Sequence, residues 1–219
     1  MKRSFIDTAD GSKSLFVHDI GETYHSKFGA LQEANFVFIK NGLSLFKNQN
    51  LAILEIGFGT GLNAFVTLCN APALNLNVHY TGIEAFPLTA DEINQLNFPQ
   101  AANRLDLQPA FNLIHEAPWE KDILISNYFT VKKRKMFFDD IQDVSQYDLI
   151  YFDAFGFQYQ PELWSESIFI KMYNALKPNG VLVTYACRSI IKKNMQAAGF
   201  LTEKLPGPPG KREMLRCKK

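Results

Sequence analysis

The stretch that decides the fold is residues 51–63, LAILEIGFGTGLN. Apolar residues surround Glu55 and lead into three glycines at alternate positions, Gly57, Gly59 and Gly61. An apolar run of this length bounded by glycine predicts a strand buried on both faces, as in a parallel sheet. Helical spacing resumes directly after the last glycine, so the stretch predicts a strand, a glycine turn and a helix.

The glycine spacing separates two kinds of nucleotide site. A dinucleotide fingerprint requires its third glycine at the position that Leu62 occupies. The order Glu-x-Gly-x-Gly-x-Gly instead resembles the motif with which class I methyltransferases hold S-adenosyl-L-methionine (SAM). This resemblance implies that Glu55, the three glycines and Asn63 belong to a cofactor site. A nicotinamide dehydrogenase remains a less favoured alternative.

A second acidic residue follows at the expected distance. Residues 78–83 predict a second buried strand, which ends at Glu84, 23 residues after Gly61. An acid roughly 20 residues beyond a glycine loop accepts hydrogen bonds from vicinal ribose hydroxyls. We therefore predict that Glu84 is the ribose ligand.

Composition narrows the class of protein. The 219 residues are 47% hydrophobic and 21% charged, with a net charge of +1, which predicts a single globular domain. No apolar stretch is long enough for a membrane span, and four histidines without a ligand cluster predict no metal site. Three cysteines without a CxxC pair predict reduced thiols, and hence a cytoplasmic protein. The oligomeric state cannot be read from the sequence.

The remaining pattern predicts an α/β fold of the Rossmann-like type in one domain, 1–219. Residues 1–50 read as an N-terminal extension, with a short hairpin within 1–23 and a helix over about 31–46. The irregular stretch of about 99–136 reads as an insertion, and 137–141 as the end of a third strand. A fourth strand at 147–152 is apolar on both faces, and further strands are expected at 180–185, 200–205 and 211–217.

Acidic residues at strand ends supply the candidate chemistry. Ligands of open α/β sheets lie outside the carboxyl ends of the strands, where Asp153 and Asp140 are expected. An amine that accepts a methyl group must be neutral when it attacks, and a carboxylate can orient it or take its proton. Asp153 is therefore the first candidate for the reacting centre, with Phe155 lining the pocket. Asp140 is either an adenine contact or a helix cap.

Basic runs and aromatic residues leave two interpretations open. The clusters lie at 132–135, 192–193 and 211–219, and such runs are either solvated faces or contacts to nucleic acid. Aromatic residues near them either pack in the core or stack on unpaired bases. The aromatic candidates are Phe155, Phe157, Tyr159, Trp164 and Tyr185.

Beyond these elements, the chain resembles the bacterial tRNA 5-methylaminomethyl-2-thiouridine methyltransferases, the methyltransferase half of MnmC-type proteins. Two elements are the most discriminating, the Asp-Ala-Phe at 153–155 and the Gly-Lys-Arg-Glu-Met-Leu at 210–215. The resemblance runs over nearly the whole chain. It is carried by 24–38 (YHSKFGALQEANFVF), 55–63, 83–89 (IEAFPLT), 140–141, 152–155 with 161–164 (FDAF, PELW), 180–185 (GVLVTY), 198–200 and 207–215 (GPPGKREML).

This resemblance implies a SAM-dependent N-methyltransferase that converts 5-aminomethyl-2-thiouridine at the tRNA wobble position to its methylamino form. It implies that Asp153 and Phe155 belong to the amine pocket, and Glu84 and Asp140 to the cofactor site. It also implies that Tyr24 and Glu33 lie at the same cleft. Lys211 and Arg212 would hold the RNA or brace the site, and Tyr185 is a further candidate for contact with the substrate.

Many relatives carry a fused FAD-dependent oxidoreductase, for which 219 residues leave no room, so a standalone methyltransferase is expected. Two other classes of function stay open. One is a transferase acting on a small amine, as aminopropyltransferases do with the same fold. The other is a non-catalytic tRNA-binding protein that retains the cofactor site.

Overall fold

The computed structural model describes all residues from Met1 to Lys219. Its centre is an eight-stranded sheet in the order β10-β11-β9-β8-β4-β5-β7-β6, of which β7, β5, β4, β8 and β9 are mutually parallel. The sheet strands are β4 Gln49–Ile56, β5 Leu76–Ile83, β6 Asp122–Ser126, β7 Phe129–Arg134, β8 Tyr147–Phe152, β9 Leu176–Thr184, β10 Leu201–Pro206 and β11 Glu213–Lys218.

Helices cover both faces of the sheet, as expected for parallel strands buried on both sides. The α-helices are α1 Ala30–Ala34, α2 Leu62–Asn70, α3 Ala90–Ile93, α4 Phe98–Ala101, α5 Gln108–Glu116, α6 Glu166–Ala175 and α7 Ser189–Ala197. Alternate residues of one strand enter opposite cores: Ile53 packs with α2 and α5, whereas Leu54 packs with α6 and α7. The prediction that 51–56 is a strand buried on both faces is confirmed.

A small antiparallel sheet precedes this unit. It consists of β1 Arg3–Asp7, β2 Lys13–Val17 and β3 Glu22–Thr23, so the predicted hairpin within 1–23 is confirmed. Its last strand leads directly into Tyr24 and His25, which reach the glycine loop. No helix of the chain has both the length and the apolar character needed to cross a bilayer.

The helix predicted over 31–46 is wrong in its extent. The α-helix ends at Ala34, a π-helical turn continues over Asn35–Lys40, and a 3-10 turn follows at Leu43–Leu45. The Asn41 side chain donates to the Phe36 carbonyl oxygen at 2.8 Å. This side-chain bond competes with the backbone N–H groups that would bond the same oxygen in a continuous helix. Gly42 then lies so close to the Phe38 carbonyl oxygen that a Cβ there would approach it to 2.6 Å.

The third strand was predicted at 137–141, and this is wrong. The strand parallel to β5 is Phe129–Arg134, inside the stretch of 99–136 expected to be an insertion, while Phe138–Asp140 is a 3-10 turn. The strand escaped recognition because its end is the basic run 132–135. Lys133 points inward, donates to the His115 carbonyl oxygen, and lies 5.1 Å from the centre of the Trp119 ring. Burial lowers the pKa of Lys133 to about 8.

Candidate active site

A cavity of about 790 Å³ opens at the carboxyl ends of β4, β5 and β8. Within the sheet, β5 is the neighbour of β4 on one side, and β8 is its neighbour on the other side. This reversal of strand order creates a crevice in open α/β sheets, and ligands bind there. The volume lies within the range of roughly 300–1,000 Å³ typical of small-molecule sites.

The floor of the cavity is the loop between β4 and α2. Its glycines have φ of +88° at Gly57, +49° at Gly59 and +69° at Gly61. A Cβ on Gly57 would lie 2.6 Å from the Asp153 carbonyl oxygen, and one on Gly59 would lie 3.0 Å from the Tyr24 ring. The loop therefore needs glycine both for its backbone and for close approach of its neighbours.

Glu84 holds this loop from the end of β5. One carboxylate oxygen accepts from the Gly59 N–H at 3.0 Å, and the other accepts from the Phe86 N–H at 2.8 Å. A carboxylate oxygen has room for a second donor, so both oxygens keep acceptor capacity toward the cavity. Glu84 lies at the cavity wall, as the sequence predicts for an acid at this strand end.

Below the loop, one amide joins two acids. The Asn63 side-chain nitrogen donates to Glu55 at 2.9 Å and to Asp153 at 2.8 Å. Glu55 is only 1% exposed, and burial raises its pKa well above the usual value. Its second oxygen has no hydrogen-bond partner, so the Asn63 amide offsets only part of the cost of burying this carboxylate.

Asp153 ends β8 and faces the cavity. Burial raises its pKa to about 7, with the Asn63 hydrogen bond opposing the rise. Nearby Glu33 raises it further, while Lys211 lowers it. The result is a carboxyl group that exchanges its proton near neutral pH, which is the property required of a general base.

Lys211 and Tyr185 form the wall beside this carboxyl. The Lys211 ammonium pairs with the Glu33 carboxylate and lies 4.2 Å from the centre of the Tyr185 ring. The Tyr185 hydroxyl donates to the Ala154 carbonyl oxygen at 2.8 Å, which fixes the ring against the end of β8. An aromatic face and carboxylates around one cation are the surroundings that favour an ammonium group.

Aromatic residues complete the walls. The Phe155 ring lies edge-on to the Tyr24 ring, with centroids 5.1 Å apart. At the opposite end, Phe86 and Phe137 form a second edge-on pair at 5.9 Å beside Asp140, which is exposed. The Asp140 carboxylate engages no other side chain and lines the cavity, so it is available to a ligand.

Most of the predicted site residues meet at this cavity, although Asp140 lies on a 3-10 turn and not at the predicted strand end. Arg212 is one exception, because its side chain is exposed and lies outside the cavity wall. The residues brought together are Tyr24, Glu33, Glu55, Gly57, Gly59, Asn63, Glu84, Asp140, Asp153, Phe155, Tyr185 and Lys211. Gly61 follows as the N-cap of α2 and does not line the cavity itself.

Several of the basic and aromatic candidates are buried and cannot contact nucleic acid. The run 132–135 does not form an open basic patch, because Lys133 is buried and Arg134 pairs with Asp143 at 2.7 Å. Trp164 has no exposed surface and cannot stack on a base, since it fills the core between β8 and α6. Its indole nitrogen donates to the Phe155 carbonyl oxygen at 2.7 Å, which supports the loop after Asp153.

Two polar residues of the site are not among the predicted site residues, although His25 lies in the stretch 24–38 that carries the resemblance. Glu22 accepts from the Gly156 N–H at 3.0 Å and lines the cavity near Asp153. His25 bridges the Ser14 hydroxyl and the Thr60 hydroxyl, both at 3.0 Å, and so connects β2 to the glycine loop. Burial lowers the pKa of His25 to about 4, so the bridge is neutral at physiological pH.

Comparison with known proteins agrees with this geometry. Residues 121–219 match the family model described as S-adenosyl-L-methionine-dependent methyltransferase. The chain is 30% identical over 217 residues to the tRNA 5-methylaminomethyl-2-thiouridine biosynthesis bifunctional protein MnmC of Aromatoleum aromaticum. That alignment covers 90% of this chain and 32% of the relative, and the Leptospira borgpetersenii MnmC protein matches over the same shares. The chain thus spans about a third of the length of these relatives.

Solved structures show the same fold. The crystal structure of MnmC2 from Aquifex aeolicus superposes with a TM-score of 0.76 at 22% identity, covering 99% of this chain and 70% of that one. Spermidine synthase from Thermotoga maritima superposes with a TM-score of 0.59 at 14% identity, covering 100% of this chain and 72% of that one.

The fold is that of the class I SAM-dependent methyltransferases, and the C-terminal residues 121–219 match a family model of that description. The glycine loop fits this cofactor, because the missing Cβ atoms leave bare backbone beside the Glu84 carboxylate. Within this class, the chain is a homologue of the MnmC proteins over the part of them that it spans.

Proposed function

We propose that this enzyme transfers a methyl group from SAM to the primary amine of 5-aminomethyl-2-thiouridine at the wobble position of tRNA. The product is 5-methylaminomethyl-2-thiouridine. The observation that carries this proposal is the Asp153 carboxyl, whose pKa of about 7 and place between the glycine loop and Tyr185 suit an amine acceptor. The names of the MnmC relatives point to the same nucleoside.

In this proposal the glycine loop would hold the cofactor. Glu84 would accept from the ribose hydroxyls, and Asp140 would accept from the adenine amine. Glu55 and Asn63 act from below, where they hold the loop and orient Asp153. The full set of proposed cofactor residues is Tyr24, Glu33, Glu55, Gly57, Gly59, Gly61, Asn63, Glu84 and Asp140.

Asp153 prepares the acceptor. When bound, SAM would supply a methyl group on a sulfonium sulfur, so that an uncharged amine could bond the methyl carbon as the carbon–sulfur bond breaks and a neutral thioether leaves. An aminomethyl group is an ammonium at neutral pH, so it must first lose a proton, and the ionised Asp153 carboxylate accepts it directly or through water. Phe155 and Tyr185 restrict the position of the amine, which lowers the entropic cost of aligning it.

The whole of 1–219 acts as one methyltransferase unit. The N-terminal residues 1–50 complete the cleft, since Tyr24 and Glu33 line it. Lys211 and Arg212 lie on the side from which tRNA approaches. Because its substrate is tRNA, the enzyme acts in the cytoplasm. Lys211 braces the amine site through Glu33, and Arg212 is free to meet a phosphate.

The proposal is tested with methyl-labelled SAM and bulk tRNA from a strain that lacks this gene, followed by nucleoside analysis. Label in 5-methylaminomethyl-2-thiouridine is the expected result, and the Asp153→Asn variant should give it about 10²–10⁴-fold more slowly. No label in any nucleoside, with SAM binding intact, would contradict the proposed substrate. Label on a small amine such as putrescine would then favour the small-amine alternative.

A further inference from the structure

One aromatic ring at the mouth of the cavity has no role in the reaction described above. Phe28 is 61% exposed, yet it lines the same cavity as Asp153. It lies against Gly210, where a Cβ would approach the ring to 2.4 Å. Because Gly210 precedes Lys211, which pairs with Glu33, the ring lies at the acceptor end of the cleft.

The backbone under this ring is fixed. The Phe28 N–H donates to the Ser26 hydroxyl at 3.2 Å, and the Ala9 N–H donates to the Lys27 carbonyl oxygen at 3.0 Å. The next residue, Gly29, is buried and caps α1. A single exposed apolar side chain is ordinary on a protein surface. Phe28 differs from the exposed Leu124 and Leu201 because it lines the active-site cavity.

The charge around the ring suits a nucleic acid. Lys27 is exposed beside it and lines the cavity mouth, and Arg212 is exposed two residues beyond Gly210. Neither cation forms a salt bridge within the chain, whereas Lys211 pairs with Glu33. A stacking ring flanked by unpaired cations is the arrangement that binds single-stranded RNA, in which bases stack and phosphates pair.

We infer that Phe28 is a stacking platform for the base adjacent to the nucleotide that is methylated, with Lys27 and Arg212 on the flanking phosphates. This inference rests on the proposed function. A nucleoside whose amine reaches Asp153 must leave the stack of its own loop, so its neighbour loses a stacking partner. The exposed ring replaces that partner at the rim, without entering the amine pocket.

The test compares Phe28→Ala and Phe28→Trp with the wild type on an anticodon stem-loop RNA that carries 5-aminomethyl-2-thiouridine. Phe28→Ala should lower kcat/KM for this RNA about 10-fold, as expected for loss of one base stack, and leave KM for SAM unchanged. Phe28→Trp should restore the activity. Leu124→Ala serves as a control, because Leu124 is 64% exposed on the edge strand β6 and lies outside the cavity.

A second readout does not depend on catalysis. In Phe28→Trp, stacking of a base should quench the new indole fluorescence when the RNA is added, beyond the change seen in the wild type. Equal kcat/KM for wild type and Phe28→Ala, or no added quenching, would overturn the inference. A third outcome separates the two proposals. If RNA quenches the Phe28→Trp fluorescence but the wild type transfers no methyl group to it, the stacking role of Phe28 is supported and the proposed reaction is wrong.

Discussion

The Asn63 side-chain amide donates to the Asp153 carboxylate over 2.8 Å, and this bond connects the first turn of α2 to the end of β8. The same nitrogen also donates to Glu55 at 2.9 Å. One amide group therefore fixes the candidate base relative to the glycine loop. Burial raises the pKa of both acids, and the protonation state of Asp153 determines whether it can accept a proton from the substrate.

Replacing Asp153 with asparagine should slow methyl transfer strongly while the protein stays folded. Loss of a general base costs about 10²–10⁴-fold in rate, so kcat should fall by that factor. SAM affinity, measured by calorimetry, should change little. Asp91→Asn is a matched control, because Asp91 is exposed on α3 and away from the cavity. Retained activity in Asp153→Asn would remove Asp153 from the mechanism.

The same substitution should stabilise the fold at alkaline pH. The pKa of Asp153 is about 7 in the folded chain, against an ordinary value of 3.8, so the folded state binds more protons between these values. Stability from this group is therefore full below pH 4 and falls as the pH rises toward 7. Asp153→Asn should raise Tm by at least about 4 °C at pH 8. The gain should vanish near pH 4; an equal gain at both pH values would contradict the assigned burial cost.

The rate of the wild-type enzyme should depend on the same proton. We expect kcat/KM to rise with pH and level off above an apparent pKa near 7, since only the ionised Asp153 accepts a proton. Lys211→Met should move this limb to higher pH, because Lys211 lowers the pKa of Asp153 and its loss leaves Glu33 unpaired. Lys192→Met, a change on the distant helix α7, is the control. A limb that stays in place in Lys211→Met would mean that another group controls the profile.

Glu84 should contribute to cofactor binding more than to chemistry. Glu84→Gln removes a charged acceptor from the Gly59 and Phe86 N–H groups. A hydrogen bond to a charged group contributes roughly 1.5–3 kcal/mol, so Kd for SAM should rise about 10- to 100-fold. At saturating SAM, kcat should remain within about threefold, since Glu84 does not meet the amine. Glu116→Gln on α5 tests for a nonspecific charge effect. A large fall in kcat with unchanged Kd would contradict this assignment.

Local signals explain which parts of the structure could be predicted. The strands at Gln49–Ile56 and Tyr147–Phe152 were predictable because both are apolar runs that end in glycine or acid. The strand Phe129–Arg134 was missed because Lys133 is buried by tertiary contacts that leave no mark in the sequence. Likewise, Glu22 reaches the site only through its bond from Gly156 after β8, and His25 through its bonds to Ser14 and Thr60. Such contacts join residues far apart in the chain.

The last prediction concerns the close approach of the β4 and β8 ends. At Gly57, φ is +88° and a Cβ would lie 2.6 Å from the Asp153 carbonyl oxygen, so Gly57→Ala adds backbone strain and a steric clash. Gly11→Ala is a matched control, because Gly11 has φ +79° but no atom within 4 Å of the added Cβ. Strain alone costs on the order of 1 kcal/mol, and overpacking adds about 1–3 kcal/mol. Denaturant unfolding should therefore show a larger loss of stability for Gly57→Ala than for Gly11→Ala. Only Gly57→Ala should also lower kcat, since it displaces the strand end that carries Asp153. Equal losses in the two variants would show that backbone conformation, and not the contact with Asp153, is why glycine is needed at position 57.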